Sequence, residues 1–165
     1  MKQKLQFFSL LLLTVAFLMP TKLMAQVVIN NITYTFSGTE ATVTNISPLP
    51  ANLVIPPTVT YNGVTYNVTT LNNFYTGSDD HTLTSITAPS IKKIISDNNS
   101  TYFLLLTSQQ ELTSISFPAL ETIGGFNVFN QLNKLTTLSL PSLTTIESNA
   151  WQCISELPVL TTLSL

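Results

Sequence analysis

A twelve-residue cassette recurs along the second half of the chain, and this repetition limits the folds open to the sequence more than any other feature. Copies begin at Leu83, Leu112, Leu135 and Leu160, so that successive starts lie 29, 23 and 25 residues apart. Apolar residues occupy positions 1, 4, 6 and 9 of each complete copy, and proline occupies position 7. The fourth copy ends at its sixth position, Leu165.

The recurring prolines exclude one long helix, because Pro89, Pro118 and Pro141 would each interrupt it. Periods of roughly 20 to 29 residues with this apolar pattern match the leucine-rich-repeat template. We therefore predict a β-rich leucine-rich-repeat solenoid over residues 76–165, with about four repeats and the last one truncated. Each cassette is expected to supply one short strand and a turn, the strands stack in parallel, and the 11 to 17 residues that follow form short helical or irregular returns.

A single repeat of this kind cannot be stable alone. About five large apolar side chains contribute roughly 8–15 kcal/mol if buried, whereas ordering about 25 residues costs roughly 1–2 kcal/mol each. Stacked copies share one core and one ladder of strands. The ends of the stack then need a cover, and residues 26–75 are placed to provide one at the first edge.

Residues 26–75 are predicted to form antiparallel β-hairpins that cap the solenoid. Ile32, Tyr34 and Phe36 alternate with threonines before a turn at residues 37–40, which is the period of a half-buried strand. Asn62-Gly63 lies between a second pair of alternating runs and is a strong hairpin signal, because both turn residues tolerate positive φ. Four prolines between residues 48 and 57 keep the connecting backbone out of any central ladder.

Residues 1–25 have the organisation of a secretory signal peptide. Lys2 and Lys4 precede an apolar run from Phe7 to Met19, and a small residue, Ala25, stands at the expected cleavage position. The apolar run is shorter than the about 20 residues that a membrane span needs. We therefore expect a secreted or cell-surface protein with no stable membrane span in its mature chain.

Composition excludes two classes of function. The 165 residues contain no arginine, and after residue 25 three lysines face eight acidic residues, a net charge of −5. Without arginine the chain lacks the bidentate phosphate and guanine contacts on which nucleic-acid binding usually depends. One cysteine and one histidine cannot supply the three or four ligands of a zinc site, so we expect no metal and no cofactor.

The cassette, together with Val54-Ile55-Pro56 and the stretch from Tyr61 to Leu71, resembles the BspA-like leucine-rich-repeat proteins over roughly residues 50–165. These are secreted and surface proteins of host-associated bacteria. An Ile-Gly-x-x-Ala-Phe-x-x-Cys return typical of that family is matched only in part, by the segment from Ile146 to Cys153. The resemblance implies adhesion to host proteins and no catalysis.

Positions 2, 3 and 5 of each cassette are expected to point out of the core, and every one of them is serine or threonine: Thr84, Ser85, Thr87, Thr113, Ser114, Ser116, Thr136, Thr137, Ser139, Thr161, Thr162 and Ser164. One interpretation is that threonine is a good strand residue and bonds across neighbouring strands. The other is a docking face for a protein or glycan ligand, host extracellular matrix among the candidates. Ice-binding solenoids also carry threonine arrays, but the uneven repeat spacing argues against that function.

Catalytic and metal-binding interpretations of the polar turns are weak. His81 follows Asp79 and Asp80, but no nucleophile elbow accompanies it, and neither these acids nor Asp97 fits a calcium loop. Cys153 is expected to pack in the core with Trp151 and Ile154.

Two functional hypotheses follow. The first is a binding module of the adhesin type, and the second is a structural spacer or a fragment of a longer repeat protein with no binding activity of its own. The uncapped strand edge at residues 160–165 is expected either to continue into further repeats or to be covered by self-association.

Overall fold

The computed structural model describes residues 25–72, 82–95, 106, 109–148 and 150–165. Residues 1–24 of the predicted signal peptide (1–25), His81 with its neighbouring aspartates, and Asp97 lie outside the described residues. Within those described ranges the secondary structure consists of strands and turns, and no helix occurs. These ranges accordingly contain no helix long and apolar enough to cross a bilayer.

Fifteen strands are present in the described ranges. They are β1 (Val27–Ile29), β2 (Ile32–Ser37), β3 (Glu40–Ile46), β4 (Asn52–Val54), β5 (Thr58–Tyr61), β6 (Val64–Asn72), β7 (Ser85–Thr87), β8 (Lys93–Ile95), β9 (Ser114–Ser116), β10 (Thr122–Ile123), β11 (Phe129–Asn130), β12 (Thr137–Ser139), β13 (Thr145–Ile146), β14 (Ile154–Ser155) and β15 (Thr162–Ser164).

The strands form three sheets, and the predicted parallel solenoid is confirmed. The five-stranded sheet has the order β15-β12-β9-β7-β4, all parallel, and is called the hydroxyl sheet below. A mixed sheet has the order β1-β2-β3-β6-β8-β10-β13, with β5 paired to β6. The short third sheet contains β11 and β14. Each of the first four coils therefore contributes one strand to the hydroxyl sheet and one to the mixed sheet, and the last coil contributes β15 to the hydroxyl sheet.

Each complete cassette forms two strands, whereas the sequence pattern predicted one. Pro118 ends the first strand of its coil, and the Leu120 N–H donates to the Phe117 carbonyl at 3.1 Å, which closes a turn with proline at its second position. The same bond joins Leu143 to Leu140 at 3.0 Å around Pro141. After each turn the chain re-enters an extended conformation and pairs in register with the next coil, as Ile123 does with Ile146.

The core consists of the inward positions of the stacked coils. Ile86, Ile115 and Leu138 stand at position 4 of successive cassettes, pair in register, and are at most 1% exposed. Position 12 forms a second column with Leu71, Ile94 and Ile123, all fully buried. These columns meet because every strand places alternate side chains on the same side of its sheet.

The N-terminal hairpins are confirmed. Residues Gly38 and Thr39 turn between β2 and β3, while Asn62 and Gly63, with φ of 50° and 76°, turn between β5 and β6. Positive φ at both of the latter positions is the geometry that the Asn-Gly pair favours. Phe36 joins the two hairpins by stacking on Tyr61, with ring centroids 5.3 Å apart.

The hairpin module and the repeats share hydrogen-bonded sheets. β4 pairs with β7, and β6 pairs with β8, so that residues 52–54 and 70–72 behave as the two strands of a first coil. The Asn62-Gly63 hairpin is an insertion between those strands. The division between a cap at residues 26–75 and repeats at residues 76–165 stays a prediction, and sheet hydrogen bonds cross that boundary.

Leu138 and Leu163 provide a matched test of the shared core. They occupy the same cassette position and pair in register, but Leu138 is fully buried whereas Leu163 is 48% exposed. We expect Leu138→Ala to lower the free energy of unfolding by about 2–5 kcal/mol. Leu163→Ala should cost less than about 1.5 kcal/mol, because half of its apolar surface already contacts water. Urea denaturation measures both, and equal losses would contradict the stacking of coils described above.

Burial of the Tyr34 hydroxyl makes the free energy of unfolding depend on pH in the alkaline range. The side chain is 1% exposed, and desolvation by burial raises its pKa from 10.0 to about 12. Between these values the unfolded chain holds fewer protons than the folded one, so the free energy of unfolding falls as the pH rises. We expect a loss of up to about 1.4 kcal/mol per pH unit in that window. Tyr34→Phe should reduce this slope in urea titrations between pH 9 and 11.5, and an unchanged slope would exclude Tyr34 as its source.

Candidate functional site

The outward side of the hydroxyl sheet is the candidate site, and the repeat pattern builds it directly. In each strand the central residue points into the core, so the residues on both sides of it, positions 3 and 5 of the cassette, point outward. Ser114 and Ser116, for example, flank the buried Ile115. Strand pairing in register then aligns equivalent positions of successive coils.

Two columns of hydroxyl groups result. Position 3 supplies Ser85, Ser114, Thr137 and Thr162, and position 5 supplies Thr87, Ser116, Ser139 and Ser164. Neighbouring strands lie about 4.8 Å apart, so five strands span about 19 Å. The structure therefore brings together all the predicted residues at these two positions on one continuous surface.

Position 2 has a different role. The Thr113 Oγ1 donates to the Thr84 carbonyl at 3.0 Å, the Thr136 Oγ1 to the Thr113 carbonyl at 3.1 Å, and the Thr161 Oγ1 to the Thr136 carbonyl at 3.1 Å. Each of these carbonyls also accepts a backbone N–H from the next coil. The threonines at position 2 thus form a ladder of hydrogen bonds that holds adjacent coils together.

The ladder begins at the Ala51 carbonyl, which accepts a hydrogen bond from Thr84 Oγ1 at 2.8 Å. Beside this first bond stands Asn52, a residue that the sequence analysis did not single out. Asn52 Oδ1 accepts hydrogen bonds from Ser85 Oγ at 2.8 Å and from Thr84 Oγ1 at 3.0 Å. Asn52 and Val54 occupy positions 3 and 5 of the first coil. The signal was present in the sequence, because the segment from Ala51 to Pro56 carries apolar residues at positions 4 and 6 and proline at position 7.

The position-3 and position-5 hydroxyls lie on a surface without charge. No charged residue occurs at these positions in the described coils. A salt bridge of 2.7 Å between Lys134 and Glu111 lies one residue before the cassettes, at the edge of the face. The mixed sheet differs, since Lys93 and Glu147 form a 2.9 Å salt bridge across its outer side. Hydroxyls both donate and accept hydrogen bonds, so the hydroxyl face can bind neutral polar groups of either kind.

Cys153 is buried in the core, as predicted, and is 7% exposed. Burial raises the pKa of its thiol, which disfavours the nucleophilic thiolate. The prediction was wrong for Trp151, which is 68% exposed. Its ring stacks on Phe126 of the preceding coil, with centroids 6.4 Å apart, because the two aromatics hold equivalent places on the outside of their coils.

Comparison with known proteins identifies the fold. No family model matches the sequence, and no curated protein matches it. A leucine-rich cell surface protein from Faecalibacterium prausnitzii is similar in structure, with a TM-score of 0.50 and 16% identity, over 74% of this chain and 42% of that one. A leucine-rich-repeat protein from Bacteroides ovatus gives a TM-score of 0.49 and 21% identity, over 84% of this chain and 41% of that one.

The first of these neighbours has the fold that the BspA-like resemblance implied, and the leucine-rich-repeat architecture is confirmed. The chain spans less than half the length of either neighbour.

The two kinds of hydroxyl can be separated by substitution. We expect Thr136→Val to lower the free energy of unfolding by about 0.5–1.5 kcal/mol, because it removes the bond to the Thr113 carbonyl. Thr137→Val makes the same change of side chain at the next position, where the Thr137 hydroxyl bonds to no other described side chain or carbonyl. This variant should change the free energy of unfolding by no more than about 0.5 kcal/mol. Thermal or urea unfolding tests this, and a larger loss in Thr137→Val would reverse the assignment.

Proposed function

We propose that this protein is a secreted or cell-surface leucine-rich-repeat module that binds a protein or glycan ligand on its hydroxyl face, and that it is not an enzyme. One observation carries the proposal. The hydroxyls of Thr87, Ser114, Ser116, Thr137, Ser139, Thr162 and Ser164 form no side-chain hydrogen bonds within the described residues, although the position-2 hydroxyls beside them are engaged.

The arrangement suits an extended neutral ligand. Within each column the outward side chains recur about every 4.8 Å from strand to strand, so they form a regular row of polar groups. A ligand that lies across the strands would contact each coil in turn, which is how exposed faces of repeat proteins recognise long partners. The absence of charged side chains on the face favours neutral glycans and uncharged protein segments over acidic or basic ones.

An exported location supports the same function. The predicted signal peptide would carry the chain out of the cytoplasm. The similar protein from Faecalibacterium prausnitzii is described as a cell surface protein. A face of free hydroxyls displayed there would meet the proteins and glycans of the surroundings, host extracellular matrix included.

A structural spacer is the second candidate function, and the position-2 ladder favours it. Those hydroxyls stabilise the stack directly, so a need for stability alone explains position 2, which is one of the three positions in the predicted site. A spacer, however, has no use for free hydroxyls in the two other columns.

The test compares equal changes on two sheets. The double variant Ser116→Lys and Ser139→Lys puts two like charges on neighbouring strands of the hydroxyl face. The control, Thr122→Lys with Thr145→Lys, puts the same pair on neighbouring strands of the mixed sheet. Binding is measured on arrays of immobilised glycans and of purified extracellular-matrix proteins.

We expect the wild-type chain to bind at least one class of probe, the hydroxyl-face variant to lose at least tenfold in affinity, and the control to keep it. Thermal unfolding verifies that both variants are folded. Equal binding by both variants would refute the hydroxyl face as the site, and no binding by any of the three proteins would favour the spacer.

A further inference from the structure

A groove lies beside β4, the last strand of the hydroxyl sheet, where the two columns end in Asn52 and Val54 instead of serine or threonine. It consists of two adjoining depressions of about 330 and 350 Å³ that share Asn30, Ile32 and Val54. Each volume is at the lower limit of roughly 300–1,000 Å³ for ligand clefts. The first depression extends towards Pro48 and Leu49, and the second towards Thr58 and Thr60.

The floor of the groove is apolar. Ile46, Leu49 and Leu53 line the first depression, while Tyr34 and Val59 line the second, and all five are buried core residues. No charged residue lines either depression. At the boundary between them Val54 is 63% exposed.

Backbone groups along this groove lack partners. On either side of β4, the Ile55 N–H donates to the Thr87 carbonyl and the Ala51 carbonyl accepts from the Ser85 N–H. The backbone groups of every second residue along this segment therefore point towards β7. The intervening residues, Asn52 and Val54, direct their N–H and C=O groups to the opposite, open edge. β4 is the last strand of the hydroxyl sheet, and no other described strand pairs with that edge.

β5 presents a second open edge to the same groove. The carbonyl of Pro57, the residue before β5, accepts a hydrogen bond from the Val68 N–H. Along an antiparallel strand, residues that bond to the partner alternate with residues that do not, so the backbone groups of Thr58 and Thr60 point away from β6. Native proteins usually cover or charge such edges, because unpaired strands recruit other chains. Here the edges are uncharged, and the exposed side chain of Val54 lies between them.

We propose that this groove binds an extended, uncharged segment of another protein, which adds as a strand to the open edge of β4. Backbone pairing would supply the affinity and alternate side chains would enter the two depressions, the mode known as β-strand addition. Pro50 and Pro56 flank the three residues of β4, so the added strand is short. This inference is independent of the function proposed for the hydroxyl face.

The experiment uses a defined probe without charged side chains, a fluorescein-labelled peptide Gln-Thr-Val-Thr-Val-Thr-Val-Thr-Gln with an amidated end, in fluorescence anisotropy titrations. We expect saturable binding to the wild-type chain. Val54→Glu should weaken it at least tenfold by placing a charge at the centre of the groove. Val64→Glu is the matched control, because Val64 is similarly exposed at 49% but does not line the groove.

A second pair of measurements keeps the proposal testable if Val54→Glu fails to fold. Thr60→Glu charges the other depression at an exposed position, and it should also weaken binding at least tenfold. The same peptide with all internal amides methylated should not bind, because it cannot pair with an edge. In the complex, the Val54 amide should gain protection from hydrogen exchange.

Several results would overturn the proposal: no binding of the probe, equal binding of the methylated peptide, or unchanged binding to both glutamate variants. Dimerisation of the wild-type chain that Val54→Glu abolishes would assign the groove to a second copy and overturn it as well. The Ser116→Lys and Ser139→Lys variant should bind the peptide normally, which separates failure here from failure of the hydroxyl-face proposal.

Discussion

Parallel pairing in register between successive coils is the constraint on which the rest of this structure depends. Each coil has too few apolar side chains to bury itself, so its core residues are covered only by the equivalent residues of its neighbours. The change from a fully buried Leu138 to a half-exposed Leu163 one coil later shows the effect at a single cassette position. Because register is fixed by the core columns, the outward positions are aligned at no further energetic cost.

That alignment gives the threonines and serines of one cassette separate roles. At position 2 the side chain lies beside the carbonyl of the preceding coil, and the hydroxyl completes a ladder. One and three residues later the hydroxyl points to solvent, and only the Ser85 hydroxyl, which donates to Asn52 Oδ1, has a side-chain hydrogen bond among the described residues. The same chemical group therefore stabilises the fold in one column, whereas in the two others all but this one are free for recognition.

The N-terminal module covers the first edge of the mixed sheet with further paired strands. The chain inserts a hairpin between the two strands of the first coil, and a meander of three strands extends the mixed sheet. The mixed sheet is thereby continued by paired strands beyond the repeats. The hydroxyl sheet is not, since it ends at β4, and the groove beside that strand follows from this asymmetry.

The sequence by itself determined the repeat architecture, the two hairpins and the columns of outward hydroxyls. These depend on local patterns: apolar residues at positions 4 and 6, proline at position 7, and Asn-Gly between alternating strands. Tertiary structure decided what depends on the neighbouring coil. The second strand of each cassette forms only because an equivalent strand lies beside it, and Trp151 is outside because its coil places it next to Phe126. Which threonines bond to a carbonyl, and that Asn52 accepts hydrogen bonds from Thr84 and Ser85, likewise follows from contacts between residues more than 20 positions apart in the chain.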